Sequence, residues 1–349
     1  MIIILIEYKV GEEMNDVLLD EDIKEILKCD FVDYSILKNK YIFITGSTGL
    51  ICSMIVKALI NIDCNLILLV RDIKKAKEMF GNANKIQYIE GNVETYKPFY
   101  MKIDYVIHGA SPTKSAFFVR NPVETLDVSI LGTRNILEQA RISQVKSFVY
   151  LSSMEMYGVL DSNNVSEAQV GYINLMDVRS SYSEGKRVCE LYCVAFSNEY
   201  NLPVKIARIA QTFGTGISLN ETRVYKYFCD CIINKKNIVL NSSGKTKVNF
   251  SYITDTVLGV LKIMLNGENS EAYNIVSDSL NYDIKSIAEW LIKKYAFGEI
   301  SLIINDNEDR KMYAPENQMV LSNEKLKKLG WIPKYNVEQG YERLIEYLK

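Results

Sequence analysis

Short apolar runs alternate with helical stretches from Tyr41 to Ile209, and no other feature of the chain narrows its fold so far. The apolar runs are Tyr41–Thr45, Leu66–Val70, Ile86–Ile89, Tyr105–His108, Ser147–Ser152 and Val204–Ile209. They lack the polar alternation of a strand with one wet face, so each reads as a strand covered on both sides. Helical stretches fall between them at Leu50–Asn61, Ile73–Phe80, Pro122–Ser143 and Ser181–Tyr200. Strands of this kind, linked by helices, predict an α/β fold built on a doubly wound parallel sheet. Beyond Phe213 the rhythm breaks into helices at 224–234, 255–266, 284–294, 323–329 and 337–348, with short strands such as Ile238–Leu240. The 349 residues allow about two domains. The expected division is a helical extension over 1–39, a sheet domain over 40–213, and a smaller mixed α/β domain mainly over 214–349, with a soft, interleaved boundary.

Charge narrows the function. With 41 basic and 43 acidic side chains the net charge is -2, which supplies no basic field for a nucleic acid or an anionic membrane. The opening run Met1–Ile6 is apolar for only six residues before Glu7, too short to span a membrane and without a basic segment ahead of it. No signal peptide is expected, and the reading is cytoplasmic. Seven scattered cysteines without a Cys-x-x-Cys pair read as reduced thiols. His108 is the only histidine, so no metal site is expected, and its place at a strand end suits a structural role better than a catalytic one.

The strand Tyr41–Ile44 runs directly into Thr45-Gly46-Ser47-Thr48-Gly49-Leu50-Ile51-Cys52 and then a helix. This is the strand, glycine turn and helix of a dinucleotide site, where Gly46 and Gly49 let the backbone approach a pyrophosphate at the helix N-terminus. The second strand ends in Val70-Arg71-Asp72. Arg71 can grip a 2′-phosphate, which favours NADP; alternatively Asp72 takes the ribose hydroxyls of NAD while Arg71 is a surface charge or stacks on adenine. Trp290 and Trp331 have no legible partner and are expected in the core.

Tyr182 and Lys186 stand four apart at the start of a helix, hence on one face. A lysine ammonium beside a phenol stabilises phenolate, so Tyr182 can serve as a general base. Upstream, a strand ends in Ser152-Ser153-Met154-Glu155, which offers a hydroxyl, Ser153, and a carboxylate, Glu155, as partners.

The glycine turn, Ser153, Tyr182 and Lys186, in this order and spacing, resemble the extended short-chain dehydrogenases/reductases. His108-Gly109-Ala110-Ser111-Pro112, Tyr182-Ser183-Glu184-Gly185-Lys186-Arg187 and Arg208-Ile209-Ala210-Gln211-Thr212-Phe213-Gly214 narrow the resemblance to the nucleotide-sugar epimerase/dehydratase group, with UDP-glucuronate decarboxylases closest in wording. The resemblance implies a Rossmann sheet, NADP or NAD as cofactor, and a nucleoside-diphosphate sugar as substrate, processed through a 4-keto intermediate for polysaccharide biosynthesis. It places Thr45, Gly46, Thr48, Gly49, Leu50, Ile51, Arg71, Asp72, Asn92, Val93, Ala110, Tyr182 and Lys186 around the cofactor. Ser153, Gln211, Arg223 and Lys247 fall to the substrate. It also implies a homodimer through the helices near 122–143 and 181–200, with Val128, Leu131, Ile136, Leu191, Val194 and Ala195 as its apolar residues. Two other functions stay open: an NADPH-dependent reductase of a keto sugar or other carbonyl compound, and a dinucleotide-sensing protein without chemistry.

This chain departs from the group at several places, among them Arg71 and Asn92, each where an acidic residue is usual. Cys52 replaces the third glycine, Ser129 an asparagine, and Val248 a phosphate-gripping arginine. Met154 stands where dehydratases carry an aspartate and decarboxylases a serine.

Overall fold

The structure, a computed structural model, describes residues 14–278, 282–296, 298–305 and 316–349; the apolar run Met1–Ile6 lies outside them. The described residues begin with α1 (Met14–Leu27) and continue with β1 (Tyr41–Thr45), α2 (Leu50–Leu59), β2 (Asn65–Val70), α3 (Ile73–Phe80), β3 (Ile86–Glu90), β4 (Tyr105–His108), α4 (Ser115–Arg120), α5 (Pro122–Ile142), β5 (Ser147–Ser153), α6 (Ser180–Tyr200) and β6 (Val204–Ile209). Then follow β7 (Gln211–Phe213), α7 (Val224–Ile233), β8 (Ile238–Leu240), β9 (Phe250–Tyr252), α8 (Ile253–Asn266), β10 (Glu271–Ile275), α9 (Ile284–Tyr295), β11 (Leu302–Ile304), α10 (Glu324–Lys328) and α11 (Val337–Leu348).

Seven strands form one parallel sheet in the order β10-β6-β5-β4-β1-β2-β3. Alternate residues of each strand feed two cores. Phe43, Ile67, Leu69, Val106, Phe148 and Tyr150 meet Ile136, Leu137, Ala140, Cys189 and Cys193 of α5 and α6 on one face. Ile42, Ile44, Leu66, Leu68, Ile107 and Val149 meet α2 and α8 on the other. This two-sided burial is why the strands read as apolar runs. The chain leaves β1 toward β2 and β3 on one side, then resumes at β4 and proceeds through β5, β6 and β10 on the other. The reversal puts a crevice at the carboxyl ends of β1 and β4, where open α/β sheets bind ligands.

The seventh strand, Glu271–Ile275, pairs with Val204–Ile209, so the sheet takes a strand from beyond Phe213 and α8 lies against it. The run Glu271-Ala272-Tyr273-Asn274-Ile275 is too polar to announce itself; its burial comes from the sheet edge it completes. Ile136 is a correction to the expected dimer face: it is fully buried, because it lies one turn along from Gly132 and Thr133, whose face of α5 turns inward. Of the two tryptophans, Trp331 is fully buried and donates to the Asp255 carbonyl at 3.0 Å. Trp290 is partly buried, with Lys294 above its ring. All seven cysteines are free.

Candidate active site

The turn after β1 occupies the crevice at the sheet reversal. Gly46 has φ +69°, and a Cβ there would lie 2.7 Å from the Gly109 carbonyl and the Ala110 nitrogen. The β1 and β4 turns therefore pack backbone to backbone, and glycine is required. Gly49 is the N-cap of α2 and no side chain caps that helix, so the first amides of α2 keep their donors for a ligand. The buried Ser47 hydroxyl in the same turn has no partner. A cradle without Cβ atoms, an uncapped helix start and an orphan hydroxyl fit the pyrophosphate of a dinucleotide. Cys52, in place of the third glycine, is accommodated from the opposite side: its Sγ stands 2.5 Å from where a Cβ of Gly109 would be. Burial pushes this thiol up to about 12, so it packs and does not react.

Thr45 plays a different part from the one expected. Its side chain is fully buried, with Oγ1 2.7 Å from His108 Nδ1 and accepting from the Ala110 amide at 3.2 Å. It is spent on locking the two turns together and reaches a cofactor only through the turn it shapes. His108 Nε2 contacts Thr133 Oγ1 at 3.1 Å. Burial lowers the imidazole to about 3, with the Lys186 charge adding, so this histidine is a neutral strut. Asp72 is also engaged: it caps α3 by accepting from the Lys75 amide at 2.9 Å. Arg71 is exposed beside it. Asn92 is exposed, Val93 is buried against the Gly132 backbone, Thr48 lies in the turn before α2, and Leu50 and Ile51 begin that helix.

The catalytic candidates converge on the neighbouring strand end. Ser153 closes β5, opposite Ile209 of β6, and its hydroxyl accepts from the Glu155 amide at 3.2 Å as it caps a short 3₁₀ turn. Tyr182 is buried in the first turn of α6, its ring stacked on Phe118 at 4.3 Å. Burial pushes the phenol up to about 12 and the Glu155 charge adds; a hydrogen bond from Ser153 and the charges of Arg223 and Arg179 pull the other way. Lys186 Nζ donates to the Leu151 carbonyl at 2.8 Å and lies 5.7 Å from the Tyr182 ring centre. Burial lowers this ammonium to about 8, which leaves it charged at neutral pH. One strand end thus gathers a hydroxyl, a phenol and an ammonium, groups that general-base chemistry at a carbinol can use.

Residues 42–276 match the family model described as the NAD dependent epimerase/dehydratase family. The chain belongs to that family. UDP-glucuronic acid decarboxylase 1 of Xenopus tropicalis is 30% identical over 260 residues, covering 74% of this chain and 60% of that protein. UDP-glucuronic acid decarboxylase 6 of Arabidopsis thaliana is 27% identical over 311 residues, covering 86% and 87%. In fold, the UDP-glucose 4-epimerase of Thermotoga maritima, solved with UDP-glucose, matches with a TM-score of 0.74 at 21% identity, covering 88% of this chain and 98% of that one. The dTDP-glucose 4,6-dehydratase of Streptomyces venezuelae, solved with NAD, matches at 0.73 and 18% identity, covering 88% and 96%.

Family membership leaves the residues special to this chain to be placed. Arg179, which no motif marks, forms an ion pair with Glu155 at 3.0 Å while its Nε is buried without a partner. It stands three residues before Tyr182, and that spacing was the available signal. Met154 packs against the apolar cluster of Met156, Tyr157, Val165 and Ala210. Beneath the site Arg208 grips Glu190 at 2.8 Å and donates to Tyr157 at 3.0 Å, while Ser152 donates to Glu190. Gln211 begins β7 next to the end of β6, and Arg223 pairs with Glu221 near Tyr182, whose phenol feels its charge. Burial opposes ionisation of Glu221, yet hydrogen bonding and the charge of Arg223 hold its carboxyl down to about 2. Lys247 lies in a bridge opposite Asp283, and its amide donates to the Asn317 carbonyl at 2.9 Å. Val248 is buried; as a core residue it makes no phosphate contact. The Ser129 hydroxyl is buried and unpartnered.

Proposed function

We propose that the enzyme oxidises C4 of a UDP-linked hexuronate and thereby triggers decarboxylation at C5. The observation that carries this is the meeting of Ser153, Tyr182 and Lys186 at one strand end while Met154 packs into an apolar cluster. A bound nicotinamide dinucleotide would supply the hydride acceptor at C4 and the hydride for its return. Tyr182 takes the C4 hydroxyl proton as that carbon is oxidised. Ser153 aligns the hydroxyl, and the Lys186 ammonium favours the phenolate. Once C4 is a ketone, a carboxylate on C5 leaves as carbon dioxide without needing a base. Elimination of a C6 hydroxyl instead needs an acid, which the thioether of Met154 cannot provide. Glu155, held by Arg179, is the carboxylate available to handle the proton at C5.

Arg71, exposed next to a capping Asp72, favours NADP over NAD, because a guanidinium offers two donors to a 2′-phosphate. It equally supports a second reading, an NADPH-dependent reductase of a keto sugar. A non-catalytic sensor would not need the assembled Ser153, Tyr182 and Lys186. We place the reaction in cytoplasmic polysaccharide assembly, consistent with seven free thiols; among the described residues no helix is long and apolar enough to cross a membrane. Val123, Leu131, Leu191 and Val194 are exposed on α5 and α6, which supports a homodimer through those helices.

Incubating the protein with UDP-, dTDP-, GDP- and CDP-sugars, and following products by NMR, tests the reading. UDP-glucuronate should give a UDP-pentose and carbon dioxide without net consumption of cofactor. Stoichiometric loss of NADPH absorbance with a keto sugar would establish the reductase instead. Light scattering should return a dimer; a monomer near the 39.9 kDa of one chain would refute the assembly.

A further inference from the structure

Helix α1 lies ahead of residues 42–276, the segment the family model matches. It nevertheless places a carboxylate against Thr215, on the stretch between β7 and α7. Asp22 is fully buried. It accepts from Thr215 Oγ1 at 2.6 Å, from the Tyr252 hydroxyl at 2.8 Å and from Arg343 Nε at 2.8 Å. Arg343 belongs to α11, so both flanks of the family segment meet at this one side chain.

Thr215 lies on the stretch between β7 and α7, and that stretch borders the site at both of its ends. It departs beside β6, whose Ile209 pairs with Ser153, and it returns at Arg223, whose charge reaches Tyr182. Its path is a sequence of unusual backbone states: Gly214 has φ +154° and Gly216 φ +79°. A Cβ on Gly214 would strike Ile253 at 2.4 Å, while at Gly216 the nearest side chain is Leu19 of α1 at 3.7 Å. A segment held in such states needs an anchor from outside itself. Thr215, fully buried between the two glycines, is tied to one.

We infer that Asp22 is a positioning residue: through Thr215 it holds the wall between β7 and α7 in the shape that takes the nucleoside diphosphate of the substrate. The inference rests on the nucleotide-sugar reading above. Its consequence is specific, because the dinucleotide turn after β1 lies in the crevice between β1 and β4 and shares no hydrogen bond with Asp22. Losing the anchor should therefore weaken the substrate side alone.

Thr215→Val removes the donor while keeping size, and leaves Asp22 its bonds to Tyr252 and Arg343. With the full chain, calorimetric titration should show UDP binding weakened by about 3- to 30-fold while NAD and NADP binding stay within about 2-fold of wild type. The melting temperature should fall by no more than about 4 °C. Thr215→Ser, which restores the hydroxyl, should restore UDP affinity, and with an active sugar the Thr215→Val loss should fall on KM rather than kcat. Wild-type UDP affinity in Thr215→Val overturns the inference. So does a joint loss of UDP and dinucleotide affinity with a larger fall in melting temperature, which would mean that Asp22 only holds the fold together. A wild-type protein that binds dinucleotide but not UDP refutes the UDP-sugar reading itself, and this inference with it.

Discussion

Gly46→Ala puts the cofactor cradle under a load set by the close approach of the β1 and β4 turns. Alanine at φ +69° meets the left-handed penalty of about 1–2 kcal/mol. Its Cβ would also stand 2.7 Å from the Gly109 carbonyl carbon and oxygen and from the Ala110 nitrogen. These are backbone atoms at the end of β4, which cannot rotate aside, so overpacking should add about 1–3 kcal/mol. The total is about 2–5 kcal/mol, released either as lost stability or by the turn moving out of the dinucleotide's path. Gly81 provides the control. It has φ +74° and ψ -165°, a conformation that only glycine adopts readily, with nothing within 4 Å of a Cβ, so Gly81→Ala carries a backbone penalty alone, about 1–3 kcal/mol. Isothermal titration with NAD and NADP, alongside urea unfolding, should show Gly81→Ala about 1–3 kcal/mol less stable with unchanged cofactor affinity. Gly46→Ala should lose at least about 10-fold in cofactor affinity, since 1.4 kcal/mol of displaced turn is enough for that. A Gly46→Ala protein that binds dinucleotide within about 3-fold of wild type, and unfolds no earlier than Gly81→Ala, would refute the close-approach argument.

Three further outcomes follow from the site. Tyr182→Phe should lose turnover by about 100-fold or more while holding dinucleotide normally, because the phenol moves a proton that benzene cannot; steady-state rates together with cofactor titration check both halves. Arg71→Ala should weaken NADP by roughly 10- to 150-fold and NAD far less, a charge-assisted pair being worth about 1.5–3 kcal/mol; equal losses would show that Arg71 only stacks on adenine. Two of the buried groups that shape acid stability oppose each other. His108 is lowered to about 3 by burial, with the Lys186 charge adding, so its share of stability is whole above pH about 6.5 and is lost as pH falls toward 3. Asp255 is raised to about 7, burial outweighing its backbone hydrogen bonds, so its share is present below pH about 3.9 and lost as pH rises through 7. Between those limits the slopes oppose each other. Asp255→Asn should expose the histidine slope, about 1 kcal/mol per pH unit on average between pH 6.5 and 5, in urea unfolding; a slope equal to wild type would refute the pairing.

The parallel sheet was written locally, because strands covered on both faces must be continuously apolar and the helices between them must carry a period of 3.6. β1, β4, β6, α3 and α11 accordingly fall where the residue pattern sets them. The glycine turn, Ser153, Tyr182 and Lys186 were legible for the same reason: each chemistry needs particular residue types at fixed spacing on one element. What needed the tertiary structure were relations between distant segments. No local pattern marks Glu271–Ile275 as the seventh strand, since its burial is conferred by β6. Ile136 has the same composition signal as its exposed neighbour Leu131, and only packing against the sheet separates them. Thr45 and Asp72 stood in the right motif, yet one hydroxyl is taken by His108 and the other carboxylate by its own helix. The ion pair of Arg179 with Glu155 and the grip of Asp22 on Thr215 join residues 24 and 193 positions apart. Sequence alone fixes which groups are present and the period on which they recur; which polar group satisfies which, once water is excluded, is decided only when the chain has folded.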